Sequence, residues 1–436
     1  MTHESPSAVV RDGFPPVFWV ANGIELLERF AYYGIYLTLG IYLDQLGFSK
    51  GQLGWVQSLV LAVSYMVPIV SGTLADRLGF KRVLIVSYLS YLPAILMMIV
   101  AESFSAIALA MLTIALAAGI FKPLISGTIR AVTSGNNKTL GFGIFYAMVN
   151  VGGSLGPIVA GKLRVLGWQH VFTAAAIAVA AMLVITILYY EEPPRERSDA
   201  TLLGKLKEIG EVLVDLKFTA FLTLLGLLFW LPFWCFFNLC ALYVDSDLDT
   251  ARLYVQFESL FGPGVAGFFA HRDDAGVMRI LGETVSHTGW VIMVFQVGVS
   301  RVIERFRAIP VFLGGLTLVS AGFVLLALAK TVDPALLFAG IAVFAIGEMV
   351  AAPRIQEYIT WLAPKEKAGL YMGSNFLAVG LGGALSGVTY TSWYGGLGET
   401  GHPEHVWLYL ASHVALAIPV FVLFGRLAGE FAERDA

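Results

Sequence analysis

The chain has 436 residues, of which 57% are hydrophobic and only 14% are charged, and its formal net charge at pH 7 is −3. This apolar share is well above that of ordinary soluble domains, which excludes a typical soluble protein and predicts a chain embedded in the lipid bilayer. No nucleic-acid partner is expected.

Apolar stretches long enough to cross a membrane recur along the whole chain. A helix needs about 20 such residues to span a hydrocarbon core of ~30 Å. Twelve stretches meet this length, and they fall near residues 15–43, 52–75, 81–101, 104–128, 140–163, 169–190, 217–243, 287–303, 308–329, 333–353, 367–393 and 405–428. The sequence therefore predicts an all-α membrane protein with twelve transmembrane helices.

A charged, proline-marked segment, EEPPRERSDATLLGKLKEIGEVLVDLK, follows the sixth stretch. It predicts a cytoplasmic linker at 191–216 between a six-helix bundle at 1–190 and a second one at 217–436. Residues 244–286 form a long acidic insert, which we expect to flank the outer vestibule without chemistry of its own. Lys and Arg concentrate in the tails and inner loops of this arrangement, which predicts a multi-pass protein of the inner (plasma) membrane with both termini in the cytoplasm.

A weak internal repeat relates the two halves. The loop GTLADRLGFKR carries Asp76, Arg77 and Arg82, and the corresponding loop SRVIERFRAIP carries Glu304 and Arg305. Acid–base pairs in matching places are typical of halves related by an axis along the membrane normal. We interpret these residues as an inner gate or loop motif.

Charged residues also lie inside the first apolar stretch, in ELLERFAYYGIY. At about 100° per residue they share one helix face with two tyrosines; this charged stripe consists of Glu25, Glu28, Arg29, Tyr32 and Tyr36. An ionisable group at the bilayer centre costs about 2.5–3.5 kcal/mol, so such residues face a bundle interior or a cavity. The stripe is either an internal ion pair that fixes helix packing or part of a functional site.

Two more ionisable residues occupy the middle of apolar stretches, Lys122 in AAGIFKPLIS and Glu348 in AIGEMVAAP. The first half therefore supplies cations, and the second half supplies an acid. A ligand with a carboxylate at one end and an ammonium at the other fits between them. Arg354 and Glu357 lie nearer the inner end, where an inner salt bridge or simple solvation explains them.

Five segments in chain order resemble one known family, the proton-coupled oligopeptide transporters of the major facilitator superfamily. ELLERFAYYG is similar to its first-helix signature, ADRLGFKR to the superfamily loop, GIFKP to its fourth-helix motif, FYAMVNVGGSLGP to its fifth-helix motif, and GEMVAAPRIQEYITWLAPKEKAGLYMG to its tenth-to-eleventh-helix segment. The resemblance implies the major facilitator fold, with two six-helix bundles and alternating access.

The resemblance also implies roles for individual residues. Arg29 and Lys122 would hold the carboxylate of a peptide, Glu348 would bind its amino terminus, and Glu25 and Glu28 would couple proton binding to transport together with Arg29. The implied substrate-binding residues are Arg29, Tyr32, Tyr65, Lys122, Tyr146, Asn150, Trp234, Asn238, Glu348 and Asn375.

Two departures from the family affect the second-half pocket. The seventh stretch reads PFWCFFNLCALYV, so Trp234 and Asn238 are only loose counterparts of the family's residues. In the eleventh stretch, Ser374 and Asn375 replace a tryptophan. These differences bear on the dipeptide as substrate more than on proton coupling.

Other signals add little. Cys235 and Cys240 are predicted to be free thiols, and HPEH at 402–405 is interpreted as a solvated loop, so no metal is expected. The sequence shows no plausible nucleophile–base pair, so we do not expect an enzyme.

We predict a monomeric proton-coupled symporter that imports di- or tripeptides or similar zwitterions, with protons as the coupling ion and no cofactor. The alternatives are an antiporter exporting drugs or metabolites, a carrier of a non-peptide organic anion, and a non-transporting sensor or intramembrane enzyme.

Overall fold

The computed structural model of the chain describes residues 13–133, 137–193, 201–362 and 368–428. Nearly all of these residues are helical, since a helix satisfies its own backbone hydrogen bonds inside lipid. The helices of the first half, up to residue 193, are α1 (Pro16–Tyr36), α2 (Leu39–Gln45), α3 (Lys50–Met66), α4 (Pro68–Leu78), α5 (Phe80–Val100), α6 (Phe104–Val132), α7 (Lys138–Arg164) and α8 (Trp168–Tyr189).

The second half begins after a short helix, α9 (Leu202–Leu213), in the predicted linker, whose residues 194–200 lie outside the described residues. Two π-helical turns, Gly226–Trp230 and Gly387–Thr391, interrupt its helices. The helices are α10 (Leu216–Leu225), α11 (Leu231–Asp247), α12 (Thr250–Phe268), α13 (Gly282–Val285), α14 (Gly289–Ile303), α15 (Ala308–Thr331), α16 (Leu336–Leu362), α17 (Ala368–Ser386), α18 (Ser392–Glu399) and α19 (His405–Ala428).

The insert at 244–286 contains regular structure. After the last turn of α11 come α12, an antiparallel hairpin of β1 (Ala270–Arg272) and β2 (Met278–Ile280), and α13. Helix α12 is kinked at Gly262, whose φ of 81° is accessible to glycine at little steric cost. The insert is therefore an ordered cap on one end of the helices, which we call the insert end.

Eight of the described helices are long and apolar enough to cross a membrane, or nine segments if the bent pair α3 and α4 counts as one span. The other predicted spans coincide with segments that are charged, short or interrupted. Helix α1 carries the charged stripe, α14 has 15 residues, and α17 ends in a π-helical turn. The count of twelve spans in two bundles stays a prediction.

Helices α1 and α7 approach each other closely at two glycines. A Cβ at Gly152 would lie 2.4 Å from the carbonyl oxygen of Leu26, and one at Gly156 would lie 2.4 Å from that of Phe30. Atoms this close would clash, so only glycine permits the contact. The glycines of the fifth stretch thus allow α1 and α7 to pack closely, as small residues commonly do between membrane helices.

At the insert end, one arginine joins the halves. Arg164, the last residue of α7, forms ion pairs with Asp245 of α11 and with Glu283 of α13. The side chain of Glu283 is completely buried. Removing one member of such a buried cluster leaves a charge without compensation, which typically costs about 3–5 kcal/mol. The cluster therefore stabilises closure of this end.

A second set of contacts between the halves lies farther from the insert than the Arg164 cluster. The Tyr36 hydroxyl donates to Asn238 Oδ1 over 2.6 Å, and Gln57 Nε2 donates to the Asn238 carbonyl over 2.9 Å. Asn238 Nδ2 in turn donates to Ser386 Oγ, and Thr391 Oγ1 donates to Gln57 Oε1. These five side chains, the insert-end junction, join α1, α3, α11 and α17 and exclude water from that end.

We predict that Gly156→Ala destabilises the protein by about 1–3 kcal/mol, because the added methyl group forces α1 and α7 apart. Cys235 and Cys240 are both free and buried, so a dye that fluoresces on reacting with thiols reports thermal unfolding in detergent.

The matched control is Gly143→Ala in the same helix, since a Cβ at Gly143 meets nothing within 4 Å. This control should match or slightly exceed the wild-type Tm. Equal Tm values for the two variants would contradict the close α1–α7 contact.

Candidate functional site

A cavity of about 560 Å³ lies between the two halves. Its first-half lining comes from α1, α3 and α7, and its second-half lining from the segment around the first π-helical turn and from α14, α16 and α17. Tyr146 and Phe376 on this lining are 46% and 37% exposed, so the cavity is accessible from outside the protein. With the insert end closed, the structure is open on one side only.

Six of the predicted substrate-binding residues line this cavity together: Tyr65, Tyr146, Asn150, Trp234, Glu348 and Asn375. They come from five helices, and the chain separates the first and last by 310 residues, so tertiary packing alone brings them together. The rings of Tyr65 and Trp234, one from each half, are in contact with centroids 5.1 Å apart. The cavity therefore has an aromatic wall with a few polar groups set in it.

The charged stripe of α1 lies behind this lining. Arg29 Nε donates to Glu25 Oε1 over 2.7 Å, and Arg29 Nη1 lies 3.3 Å from Glu28 Oε2. Both glutamate side chains are fully buried. The spacing of four residues between Glu25 and Arg29 places them on one helix face, where they neutralise each other. The ion-pair interpretation of the stripe therefore holds in this conformation.

Lys122 is partly buried and lies against a tyrosine of the cavity lining. Its Nζ donates to the Ser64 carbonyl over 3.2 Å and lies 3.9 Å from the centroid of the Tyr65 ring. The Tyr32 ring is 5.5 Å away, and the Tyr32 hydroxyl is within hydrogen-bonding distance of Ser64 Oγ. A cation over a tyrosine face is attracted by the ring quadrupole. Arg29, Tyr32 and Lys122 thus form a layer adjacent to the cavity lining.

Asn238 occupies a different place from the other predicted residues. Both ends of its side chain are used in the insert-end junction, where it accepts from Tyr36 and donates to Ser386. In this conformation it holds the halves together. Sequence reasoning missed Gln57, its other partner, because a single polar residue in an apolar helix gave no signal of a contact 181 residues away.

Several buried polar atoms on the cavity lining have no hydrogen-bond partner within the described part of the chain. They are Ser154 Oγ, Trp230 Nε1, Trp234 Nε1, both ring nitrogens of His287, Glu348 Oε2 and Asn375 Oδ1. Buried polar atoms are nearly always satisfied, so a cluster of unsatisfied ones around a cavity indicates a ligand or water site. Five of these seven atoms belong to Trp234, Glu348, Asn375 or His287.

His287, Thr288, Tyr33 and Trp230 were not predicted from the sequence, although all four line the cavity. The side chain of Thr288 lies next to the Glu348 carboxylate. His287 stands at the border between the predicted insert and the predicted eighth stretch, where a polar residue is unremarkable. Its importance depends on α14 beginning beside the cavity.

The predicted gate residues lie at the end opposite the insert. Asp76 and Arg77 are in the last turn of α4, and Arg77, Arg82, Glu304 and Arg305 are exposed. Glu192 after α8 accepts hydrogen bonds from the backbone N–H groups of Phe80 and Lys81, which caps α5. Arg354 donates to the Phe306 carbonyl near the α14–α15 turn. The side chain of Glu357 lies outside the described residues.

The HPEH loop brings potential metal ligands together. Single ligand atoms of His402, Glu404 and His405 lie within 4.8 Å of one another. Glu404 Oε2 also lies 3.6 Å from Lys330 Nζ, so the carboxylate already has a cationic partner. The loop is at the insert end, away from the cavity.

Comparisons with known proteins give the family. The sequence pattern of the Major Facilitator Superfamily matches residues 23–387. The quinolone resistance protein NorA of Staphylococcus aureus (strain MSSA476) is 26% identical over 233 residues, which cover 53% of this chain and 58% of NorA. The chain thus aligns with less than two thirds of that relative's length.

Solved structures give the same fold. A crystal structure of a POT family transporter in complex with a thioalcohol-conjugated peptide has a TM-score of 0.74 at 19% identity, covering 94% of this chain and 96% of that one. A mutant of the nucleoside transporter NupG has the same TM-score at 15% identity, covering 94% of this chain and 99% of that one. At these identities the similarity shows a shared fold and leaves the substrate open.

The superfamily pattern covers most of the chain, and the similar proteins are transporters, so the predicted superfamily and the prediction that the chain is not an enzyme are confirmed. The finer resemblance to oligopeptide transporters rests on shared fold and on the motifs. The chain belongs to the Major Facilitator Superfamily of membrane transporters.

Proposed function

We propose that this chain is a proton-coupled symporter that imports short peptides or peptide-like zwitterions by alternating access. The observation that carries the proposal is the cavity between the halves, in which Glu348 has an oxygen without a hydrogen-bond partner and a buried Arg–Glu–Glu cluster lies one layer away. The proposed location is the plasma membrane, with both termini in the cytoplasm, so that the cavity opens inwards in this conformation.

Glu348 supports a zwitterionic or cationic substrate. A buried carboxylate is costly unless a cation or hydrogen-bond donors compensate it. Thr288 is beside it, but Glu348 Oε2 has no partner in the described residues. A substrate ammonium would supply the missing donors, and the aromatic rings around the cavity would contact its apolar parts.

The stripe supports proton coupling. Arg29 is engaged by Glu25 and Glu28 together, so protonation of one glutamate would remove half of the negative charge that holds it. The released guanidinium, with Lys122 nearby, would then increase the positive potential behind the cavity and favour an anionic group there. Proton binding and substrate binding would strengthen each other to the same degree, as linkage requires.

A second candidate is a proton antiporter that exports drugs. The sequence similarity to NorA favours it, because NorA is named for quinolone resistance. A large aromatic cavity with one unpaired carboxylate also suits an apolar cation. The two candidates differ in the direction in which an inward proton gradient moves the substrate.

Reconstituted protein distinguishes them. In proteoliposomes with an inward proton gradient, we expect labelled leucyl-alanine to accumulate above its external concentration, and a protonophore to abolish the accumulation. Loss of ethidium or a quinolone from preloaded vesicles on the same gradient, without peptide accumulation, would establish the exporter instead.

Glu28→Gln imitates a permanently protonated carboxylate. We expect this variant to lose gradient-driven accumulation of leucyl-alanine while exchange of labelled for unlabelled peptide without a gradient continues at a rate within about threefold of wild type. Glu102→Gln, at an exposed turn, is the matched control and should retain both activities. Undiminished accumulation by Glu28→Gln would remove Glu28 from proton coupling.

Glu348→Gln keeps the size of the side chain and removes its charge. A hydrogen bond to a charged group contributes about 1.5–3 kcal/mol, so wild type should bind leucyl-alanine roughly 10- to 100-fold more tightly than N-acetyl-leucyl-alanine. In the variant the two peptides should bind almost equally. Competition against labelled peptide gives the ratio, with Glu399→Gln as an exposed control; an unchanged ratio would place the ammonium elsewhere.

A further inference from the structure

Helix α14 begins beside the cavity, part of the way down α7. A Cβ on its first residue, Gly289, would lie 2.1 Å from Ser154 Oγ, whereas Thr284 of the preceding α13 packs against Gly161. Ser154 and Gly161 are about two helical turns apart on α7, or roughly 10 Å along its axis. Between these points the chain follows α7 without forming a long helix. The 15-residue α14 is therefore a partial span that starts well below the insert end.

The start of α14 presents unsatisfied donors to the cavity. The first N–H groups of any helix have no partner within the helix. Thr288 precedes α14, and its side chain makes no capping hydrogen bond. Thr288, Gly289 and Ile292 all line the cavity. Aligned peptide dipoles add a partial positive charge at this end of the helix. In membrane transporters, the amino-terminal ends of such partial helices face anionic substrate groups.

His287 is an independent sign of a ligand at the same place. It is only 4% exposed, it lines the cavity, and neither ring nitrogen makes a hydrogen bond with acceptable geometry in the described structure. The ring lies near the Thr284 carbonyl, but the two groups are not placed for a well-formed hydrogen bond. A neutral imidazole has one N–H donor and one acceptor nitrogen. Leaving both unsatisfied in an apolar wall is costly unless a ligand or water uses them.

The cations of the first half are engaged elsewhere in this conformation. Arg29 is held by two glutamates, and Lys122 lies against the Ser64 carbonyl and the far face of Tyr65. Neither side chain is among those that line the cavity, although Lys122 is only partly buried. The buried N–H donors on the cavity lining without a partner in the described residues include His287 and the two tryptophan N–H groups on the first π-helical turn and α11, and the start of α14 lies beside them.

We infer that the carboxylate of the substrate binds at the amino-terminal end of α14, with the first-turn N–H groups and the His287 imidazole as donors. The inference rests on the proposed zwitterionic substrate and adds a place for its negative end that the motif resemblance does not supply. Because Thr288 is beside both this subsite and Glu348, the substrate ammonium on Glu348 would offset repulsion between the two carboxylates.

The inference is tested by equilibrium binding to the full-length chain in detergent, using labelled leucyl-alanine and competition by its C-terminal amide. Wild type should prefer the free acid by about tenfold or more, as expected for loss of a charged hydrogen-bonded group. His287→Phe keeps a ring and removes both nitrogens, so it should reduce this preference to within about threefold of unity. His287→Gln retains a donor and should restore part of it.

His402→Gln, at the exposed insert-end loop, is the matched control and should bind like wild type. The preference for a free over an acetylated amino terminus should survive in His287→Phe, which separates the two subsites and shows that the variant is folded. An unchanged acid preference in both His287 variants would overturn the inference while leaving the proposed substrate class intact. Equal binding of acid and amide by wild type would overturn the inference and also count against a zwitterionic substrate. Failure of wild type to bind either peptide would overturn both.

Discussion

The structure depends on keeping charge inside an apolar bundle at an acceptable free-energy cost. A buried ion costs several kcal/mol even after relaxation, and attraction to a partner compensates this only when the geometry is good. Arg29 meets the condition by contacting Glu25 and Glu28 together. The contact requires space, and Gly152 of α7 supplies it, because a Cβ there would lie 2.8 Å from the Cβ of Arg29. The charged stripe and the glycine contact of α1 with α7 are therefore one arrangement.

The same constraint explains how the halves meet. At the insert end, polar groups of the two halves pair with one another, as in the Arg164 ion pairs and the Asn238 contacts with Tyr36 and Gln57. Around the cavity, buried polar atoms remain unsatisfied. One end held shut by polar contacts and a central cavity with unsatisfied polar groups form the pattern expected of one state of an alternating-access cycle. Opening the insert end would require the Arg164 and Asn238 contacts to be exchanged for contacts with water.

The parts of the site that can be predicted from the sequence are those that leave a local signal within one helix. The stripe of α1 follows from helical periodicity. Glu348 is apparent because an isolated acid in an apolar membrane helix is costly and therefore indicates a function. Tyr65 and Asn150 came from motif resemblance, and the structure places both on the cavity lining. Whether these residues bind substrate stays a prediction. The twelve-span count also stays a prediction, because charge, shortness and π-helical turns weaken the hydropathy signal in α1, α14 and α17.

What the sequence could not predict is non-local or depends on irregular backbone. Arg164 is 81 residues from Asp245 and 119 from Glu283, and no motif links them. The helix α12 was hidden by the break at Gly262 and by acidic residues that are typical of loops. His287 has no pattern of its own, since its significance comes from where α14 begins. Asn238 was assigned to the pocket by resemblance, yet its side chain is used in the insert-end junction.

Fold similarity leaves the substrate and the direction of transport open, because a peptide transporter and a nucleoside transporter match the chain equally well in TM-score and the similarity shows only a shared fold. The direction depends on whether proton and substrate occupy the protein together or exclude each other. If Glu348 were the sole proton site, a proton and a substrate cation would compete for one carboxylate, and competition produces exchange. In the proposed function, the buried stripe would supply a second carboxylate pair behind the cavity lining, where a proton would not displace the substrate. The separation of Glu28 from Glu348 is therefore the feature on which the proposal of co-transport depends.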